Sequence, residues 1–488
     1  MSRIAEFFKA GARLFLAVAL LVAGLIALFV AWWIAALAVL GFALFVAVRR
    51  WLSRRPSRGP HRAAHGGSAI IEGEYSVEPG TLMSAPRSWD VFCRVVDNFG
   101  DVAVCWRLAR GLAAGTGGST RLWINDLGVL HALLPQFEVG VRRQSFAGVE
   151  ICHWAEDADF TDFEPVAEVV VDGFGGGIPD AYANAMVARA STSSRSLWIV
   201  LEYLSAEPWV ASHHGLPSPH PQLPLERYFF FPGFAAGTGG LLREAGLATR
   251  REEFRRLPQK REAFWRKSGF ALPEPDAKVI SLFGYENPAV AGLLEAWASG
   301  DQVVVAAVPE GRLRADVAAY LGLDTAPSPR PFALKGEGEL TGTSVRRGAL
   351  EVRFLPFLAQ NRYDELLWAS DWNFVRGEDS FVRAQWAERP FVWQVYPQSD
   401  RAHVAKLEAF LEAYCRGLAP ELGTPLAVLW RGWNGVAPLA AGAMAEAWSA
   451  LAPQGAVLQQ HARAWAQEVQ KTGDLARNLT QFCAERLK

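Results

Sequence analysis

Hydrophobic and polar positions divide the chain into three regimes. From Leu14 to Val48 there are 35 residues without one charge. As a single helix that run would extend roughly 52 Å at about 1.5 Å per residue, beyond the ~30 Å hydrocarbon thickness of a bilayer. A membrane segment within residues 1–52 that tilts, overshoots or folds back into a hairpin is therefore expected. The run is also far longer than the roughly 7–15-residue apolar stretch of a cleaved export signal. Residues 53–88 then lose sustained periodicity among Arg, Pro, Gly, Ser and His and read as a flexible linker, with a short strand only at Ala69–Val77. The bland account of this front end is an addition without chemistry, or a start set too far upstream.

From Trp89 onward short β-rich apolar runs alternate with helical patterns. Strands are expected at Val91–Val96, Arg121–Ile124, Gly148–His153, Glu168–Val171 and Leu197–Leu201. After an Arg-rich helical stretch at Thr249–Lys267 the alternation restarts with Lys278–Phe283, Gln302–Val308, Val352–Leu355, Asp371–Val375 and Phe391–Val395. Thr325–Gly348, with its Pro, Gly and Ser, reads as a long loop, and helices at Arg401–Cys415 and within Pro438–Leu487 close the chain. Two α/β units follow from this order. Two doubly wound sheets facing each other leave a cleft at the carboxyl ends of their strands, where ligands bind. No repeat of fixed period is present, which argues against solenoids and propellers.

Charge and cysteine usage add to the picture. Residues 1–66 hold nine Lys/Arg against one acid and the remainder 40 against 49, so a +8 segment precedes a −9 body. Basic residues beside an apolar run fit a membrane surface better than nucleic acid, and no direct nucleic-acid binding is expected. Arg49, Arg50, Arg54 and Arg55 outweigh Lys9 and Arg13, which favours a cytoplasmic domain anchored at the inner membrane; a hairpin with both ends inside, though cramped, is also consistent. The five cysteines, at 93, 105, 152, 415 and 483, are odd in number and never fall as C-x-x-C. Neither a disulfide framework nor a zinc site is suggested, and a reducing compartment fits.

Three constellations stand where strands give way to loops. In FCRVVDNFGDVAVCWRLARGLA (92–113) a strand runs into Asp97 and Asp101, after which Val102, Cys105, Ala109 and Leu112 mark the buried face of a helix. Asp101 at a helix start is an ordinary N-cap. Paired carboxylates there also suit a cationic acceptor, orienting a guanidinium and taking its proton as nitrogen attacks. In DWNFVRGEDSFVRAQWAERPFVWQVYPQ (371–398) a strand delivers Arg376 and Gly377, and Glu378, Asp379 and Ser380 open a helix. The first-turn N–H groups, the Ser380 hydroxyl and the Arg376 guanidinium together suit a diphosphate, and the acids suit sugar hydroxyls; a capped surface helix is the alternative. In FGYEN (283–287) and FLPFLAQNRYD (354–364), Phe357 can stack on a planar base whose edge the Gln360 amide pairs with, unless these aromatics are simply core.

Other motifs fall short. GFGGGIPDAY (173–182) has Ile178 where a dinucleotide fingerprint needs its third glycine. His213, His214 and His220 sit in a Pro-rich loop without ligand spacing. A hydrolase G-x-S-x-G and an NTPase phosphate loop are lacking.

The ordered set VVDNFGD, EYLSAEPWV, HGLPSPHP, RYFFFPGF, TGGLLRE, SLFGYEN and RGEDSFVRAQWA resembles the bacterial protein-arginine rhamnosyltransferases that mature elongation factor P, over nearly all of Trp89–Lys488. The resemblance implies a GT-B glycosyltransferase architecture of two facing Rossmann-like domains, here preceded by the membrane segment and linker. Its acceptor domain would span 89–248, completed by a last helix at about 467–488; a connection at 249–275 would lead to a nucleotide-sugar domain at 276–466. It implies inverting transfer of rhamnose from dTDP-β-L-rhamnose to an arginine of elongation factor P, with neither cofactor nor metal. Position by position, Asp97 and Asp101 match the family's reacting aspartates, Asp101 as general base. Phe357 and Gln360 match its thymine site. Tyr285, Arg376, Glu378, Asp379, Ser380 and Tyr396 match donor-binding positions, with Phe283 nearby. Tyr363 stands where the family pattern has phenylalanine. A membrane-associated transferase acting on a lipid or glycan is the alternative.

Overall fold

The computed structural model describes residues 85–96, 99–154, 163, 165–192, 195–323, 340–398, 400–436 and 442–487. The apolar run Leu14–Val48 and the short strand expected at Ala69–Val77 lie outside these residues, as does Asp97. Among the described residues no helix is long and apolar enough to cross a membrane.

The first half is built on eight strands: β1 (Ser88–Cys93), β2 (Ser119–Ile124), β3 (Arg143–Phe146), β4 (Val149–His153), β5 (Val169–Gly173), β6 (Leu197–Leu201), β7 (Pro217–Pro219) and β8 (Glu226–Phe230). Their order is β3-β4-β2-β1-β5-β6-β8-β7. The inner six run parallel, and the outermost pairs β3/β4 and β7/β8 are antiparallel. β5 and β6 are buried along their whole length, as strands covered on both faces must be. The covering helices are α1 (Phe99–Thr116), α2 (Leu127–Leu133), α3 (Asp180–Thr192) and the short α4 (Val210–His213). Asp126 caps α2 by accepting the Gly128 N–H at 2.9 Å.

The helical stretch expected as one piece at Thr249–Lys267 is two helices, α5 (Leu247–Arg256) and α6 (Pro258–Lys267). Pro258 sits in the first turn of α6 and forces Leu257 into extended backbone, which breaks the run.

The second half carries β9 (Lys278–Leu282), β10 (Val304–Val308), β11 (Ser344–Arg347), β12 (Leu350–Phe354), β13 (Trp372–Arg376) and β14 (Phe391–Gln394), in the order β11-β12-β10-β9-β13-β14. All pairs are parallel except β11/β12. β11 corrects the expected long loop at Thr325–Gly348, whose last part is an edge strand. The helices here are α7 (Val290–Ser299), α8 (Arg314–Tyr320), α9 (Gln360–Ala369), α10 (Asp379–Ala387), α11 (Ala402–Cys415), α12 (Pro420–Trp433), α13 (Ala443–Leu451), α14 (Gly455–Gln470) and α15 (Leu475–Arg486).

The last helix returns to the first half. Asp474 caps α15 through the Arg477 N–H and accepts the Arg243 N–H with its other oxygen, both at 3.0 Å. α15 lies so close to α1 that a Cβ on Gly111 would stand 2.9 Å from the Ala476 Cβ.

In each sheet the chain reverses its winding once, between β1 and β5 in the first and between β9 and β13 in the second. Loops leaving the carboxyl ends of strands at such reversal points are where open α/β sheets bind ligands. The four loops concerned carry residues 94–101, 173–178, 283–287 and 376–380.

Candidate active site

In the second half Arg376 ends β13, Gly377 turns the chain at φ +60°, a conformation glycine alone adopts freely, and α10 begins two residues later. The Arg376 side chain is buried against two rings of the loop that leaves β9. Its guanidinium carbon lies 4.7 Å from the Phe283 ring centre and 4.6 Å from that of Tyr285. Tyr396, exposed beyond β14, packs edge-on against Tyr285 at 5.5 Å. Among the described residues no carboxylate pairs with Arg376, and its buried Nε has no hydrogen-bond partner. A buried cation without a counter-charge is costly unless an anion arrives.

The start of α10 adds to the positive potential. Its first i→i−4 bond runs from the Val382 N–H to the Glu378 carbonyl at 2.9 Å, so the N–H groups of Asp379, Ser380 and Phe381 precede the helix's own bonding. The Ser380 hydroxyl accepts the Arg376 N–H at 3.0 Å and donates to the Arg376 carbonyl. That side chain holds the turn together, while its N–H faces the end of the helix.

A cleft of about 630 Å³ opens in front of these groups, between α1 of the first half and the loops of the second. Phe283, Phe357, Gln360, Arg376, Asp379 and Ser380 all line it, so six of the donor residues expected from sequence are brought together. The Phe357 ring meets Phe99 of α1 at 5.6 Å, and the Gln360 amide approaches the Ala103 carbonyl at 3.5 Å. The other three expected donor residues, Tyr285, Glu378 and Tyr396, do not line the cleft.

The Asp379 carboxylate has partners that sequence reading missed. Arg107 of α1 binds it at 2.8 Å and Arg383 at 3.0 Å. Arg107 is also bound by Glu244 at 2.6 and 2.9 Å, and Arg383 by Asp364 at 2.8 Å. Burial alone would raise the Glu244 pKa, but the two guanidiniums hold it well below the usual carboxylate range. Three buried charges, Arg107, Asp364 and Arg383, and the half-buried carboxylates of Glu244 and Asp379 tie the halves together at the cleft. Nothing local in the sequence marks Arg107 or Glu244, which stand 137 positions apart.

In the first turn of α1, next to the cleft-lining Phe99 and Gly100, Asp101 is 3% exposed. One of its oxygens accepts the upstream Val96 N–H at 3.0 Å, so it closes the loop from β1 onto the helix. Glu378 reaches across from the second half and accepts the Leu204 N–H at 3.1 Å. Burial pushes its carboxyl up to about 8, with Lys406 acting downward and Asp101 upward, so Asp101 lies within electrostatic reach of it. Beside them Phe174, at φ 60°, stacks on Tyr203 with ring centres 4.5 Å apart, and the Lys406 ammonium sits 5.2 Å from the Tyr203 ring. Gly173, just before, permits β5 to abut α1: a Cβ there would be 2.8 Å from the Cys105 sulfur. Asp97, the second aspartate of the expected pair, falls outside the described residues.

The chain matches the family described as elongation factor P (EF-P) rhamnosyltransferase EarP over residues 89–484. It is 44% identical over 396 residues to the protein-arginine rhamnosyltransferase of Pseudomonas putida, across 81% of this chain and 98% of that protein. It is 44% identical over 400 residues to the protein of the same name from Pseudomonas aeruginosa, across 82% and 99%. A solved structure described as the structural basis for EarP-mediated arginine glycosylation of translation elongation factor EF-P is similar with a TM-score of 0.55 and 34% identity, over 81% of this chain and 98% of that one.

Proposed function

The chain belongs to the family of EF-P rhamnosyltransferases, and from that premise we propose that it moves rhamnose from dTDP-β-L-rhamnose onto an arginine of EF-P, with inversion and without a metal. The observation that carries the donor half of this reading is the buried, unpaired Arg376 beside the open N–H groups of α10. Such a site suits a diphosphate. Phe357 and Gln360, on the same cleft, suit its base.

On the acceptor wall, Asp101 is the base. As a guanidinium nitrogen attacks the anomeric carbon, its proton passes to Asp101 and the carbon–oxygen bond to the diphosphate breaks. The electron pair leaves on the β-phosphate oxygen, where Arg376 and the helix N–H groups stabilise the charge. Attack from the face opposite the leaving group turns the β-linked donor into an α-linked product. The Phe174–Tyr203 stack and Glu378 form the entry for the flat cationic side chain.

Incubation of the chain with dTDP-rhamnose and EF-P is expected to add one deoxyhexose to one arginine, in the presence of EDTA as well. Unmodified EF-P under those conditions refutes the reading. The 35-residue apolar run at 14–48 favours a second reading, that the enzyme is held at the inner membrane with its catalytic part in the cytoplasm. Co-sedimentation of the full chain with membranes that is lost when residues 1–84 are removed supports it. Transfer to a lipid or glycan, with EF-P left untouched, replaces EF-P as the acceptor.

A further inference from the structure

Besides the Arg376 Nε, one other polar atom in the donor cleft is buried and unused. Tyr363, one turn into α9, lines the cleft, is 8% exposed, and its hydroxyl has no hydrogen-bond partner. Its position is fixed. The backbone N–H is tied to the Ala359 carbonyl at 2.9 Å, and the ring packs edge-on against Phe283 at 5.5 Å, the same ring that carries the Arg376 guanidinium. The neighbouring oxygen is that of Ser380, whose proton is already given to the Arg376 carbonyl and which already accepts the Arg376 N–H. Both oxygens of Asp379 are taken by Arg107 and Arg383.

Burial raises the Tyr363 phenol above its ordinary value, against the pull of Ser380 and Arg376, so the group stays protonated and is available as a donor. A buried hydroxyl left without a partner is destabilising. Two unfilled donors on one wall, one of them cationic, call for an anionic oxygen rather than for an apolar surface or a second donor.

We propose that the Tyr363 hydroxyl donates a hydrogen bond to a phosphate oxygen of the nucleoside diphosphate donor, next to Arg376, and is a donor-binding residue of this chain. The inference rests on the reading of the cleft as a dTDP-sugar site. Phenylalanine differs from tyrosine only by the hydroxyl, so Tyr363→Phe in the full chain removes the bond and keeps the ring. By calorimetric titration the variant is expected to bind dTDP about 10-fold more weakly than the parent, equivalent to about 1.4 kcal/mol. The Tm of the free protein is expected to stay the same or rise, because an orphaned hydroxyl has been removed from the interior. An affinity loss below threefold overturns the proposal. So does a larger loss accompanied by a lower Tm of the free protein, since that assigns the hydroxyl to holding Ser380. A parent chain that binds no dTDP refutes the donor reading itself and is distinguishable from either result.

Discussion

Asp101 and Glu378 are two carboxyls within electrostatic reach of each other, with opposite protonation needs in the proposed reaction. As the proposed base, Asp101 has to be ionised to take a proton; Asp101→Asn is expected to lower turnover by about 10²–10⁴-fold while dTDP affinity measured by titration is kept. Near-normal turnover removes it from the base role. Glu378, pushed up to about 8 by burial, holds its proton at neutral pH. Its folded pKa lies above the ordinary value of about 4.3, so its contribution to stability is complete below about pH 4 and is lost as pH rises through about 8. The Tm of the parent is therefore expected to fall relative to Glu378→Gln between about pH 5 and pH 9; parallel Tm curves contradict this. Much at this scale is legible in sequence, because Arg376, Phe283 and Tyr285 stand directly after strands, and strand ends at reversal points converge. The partners of Asp379 are not. In sequence terms Arg107 is only a polar position on a largely apolar helix, and only the tertiary fold pairs it.

Among the elements, buried parallel strands announced themselves as apolar runs, and the ten strands expected after Trp89 are present with ends shifted by a few residues. The strands missing from the sequence reading, β3, β7, β8 and β11, are half-exposed, polar or proline-bearing, and three of them are antiparallel edges. Edge strands need only one neighbour and one covered face, so their residues carry little apolar periodicity. Helix α12 was missed as well, since prolines at its start and at Pro425 obscure its pattern. The packing of α15 on α1 yields a prediction of its own. Gly111 has no room for a side chain against Ala476, so Gly111→Val is expected to push the helices apart and cost about 1–3 kcal/mol, read as a lowered midpoint in urea. An unchanged midpoint shows that α15 is free to move.

For the whole molecule, the two halves are joined by charge as well as by apolar packing. Arg107 reaches from α1 to Asp379 at the mouth of α10. Arg107→Leu leaves Glu244 and Asp379 without that counter-charge in the interior, and is expected to destabilise the chain by about 3–5 kcal/mol in denaturant titration. A loss under about 1 kcal/mol means the network contributes nothing net. The reversal points of the two sheets have a further consequence. The cleft is lined from both halves: Phe99, Gly100 and Ala103 of α1 on one side, Phe283, Phe357, Gln360, Arg376 and Ser380 on the other. Two recognition tasks are thereby written in separate stretches of the gene. Because α1 residues line the same cleft as Arg376 and Ser380, an edit on either stretch reshapes the space open to both. Descendants of such a scaffold vary the two walls together, because the Arg107–Asp379, Glu378–Leu204 and Gln360–Ala103 contacts each carry a change on one wall to the other.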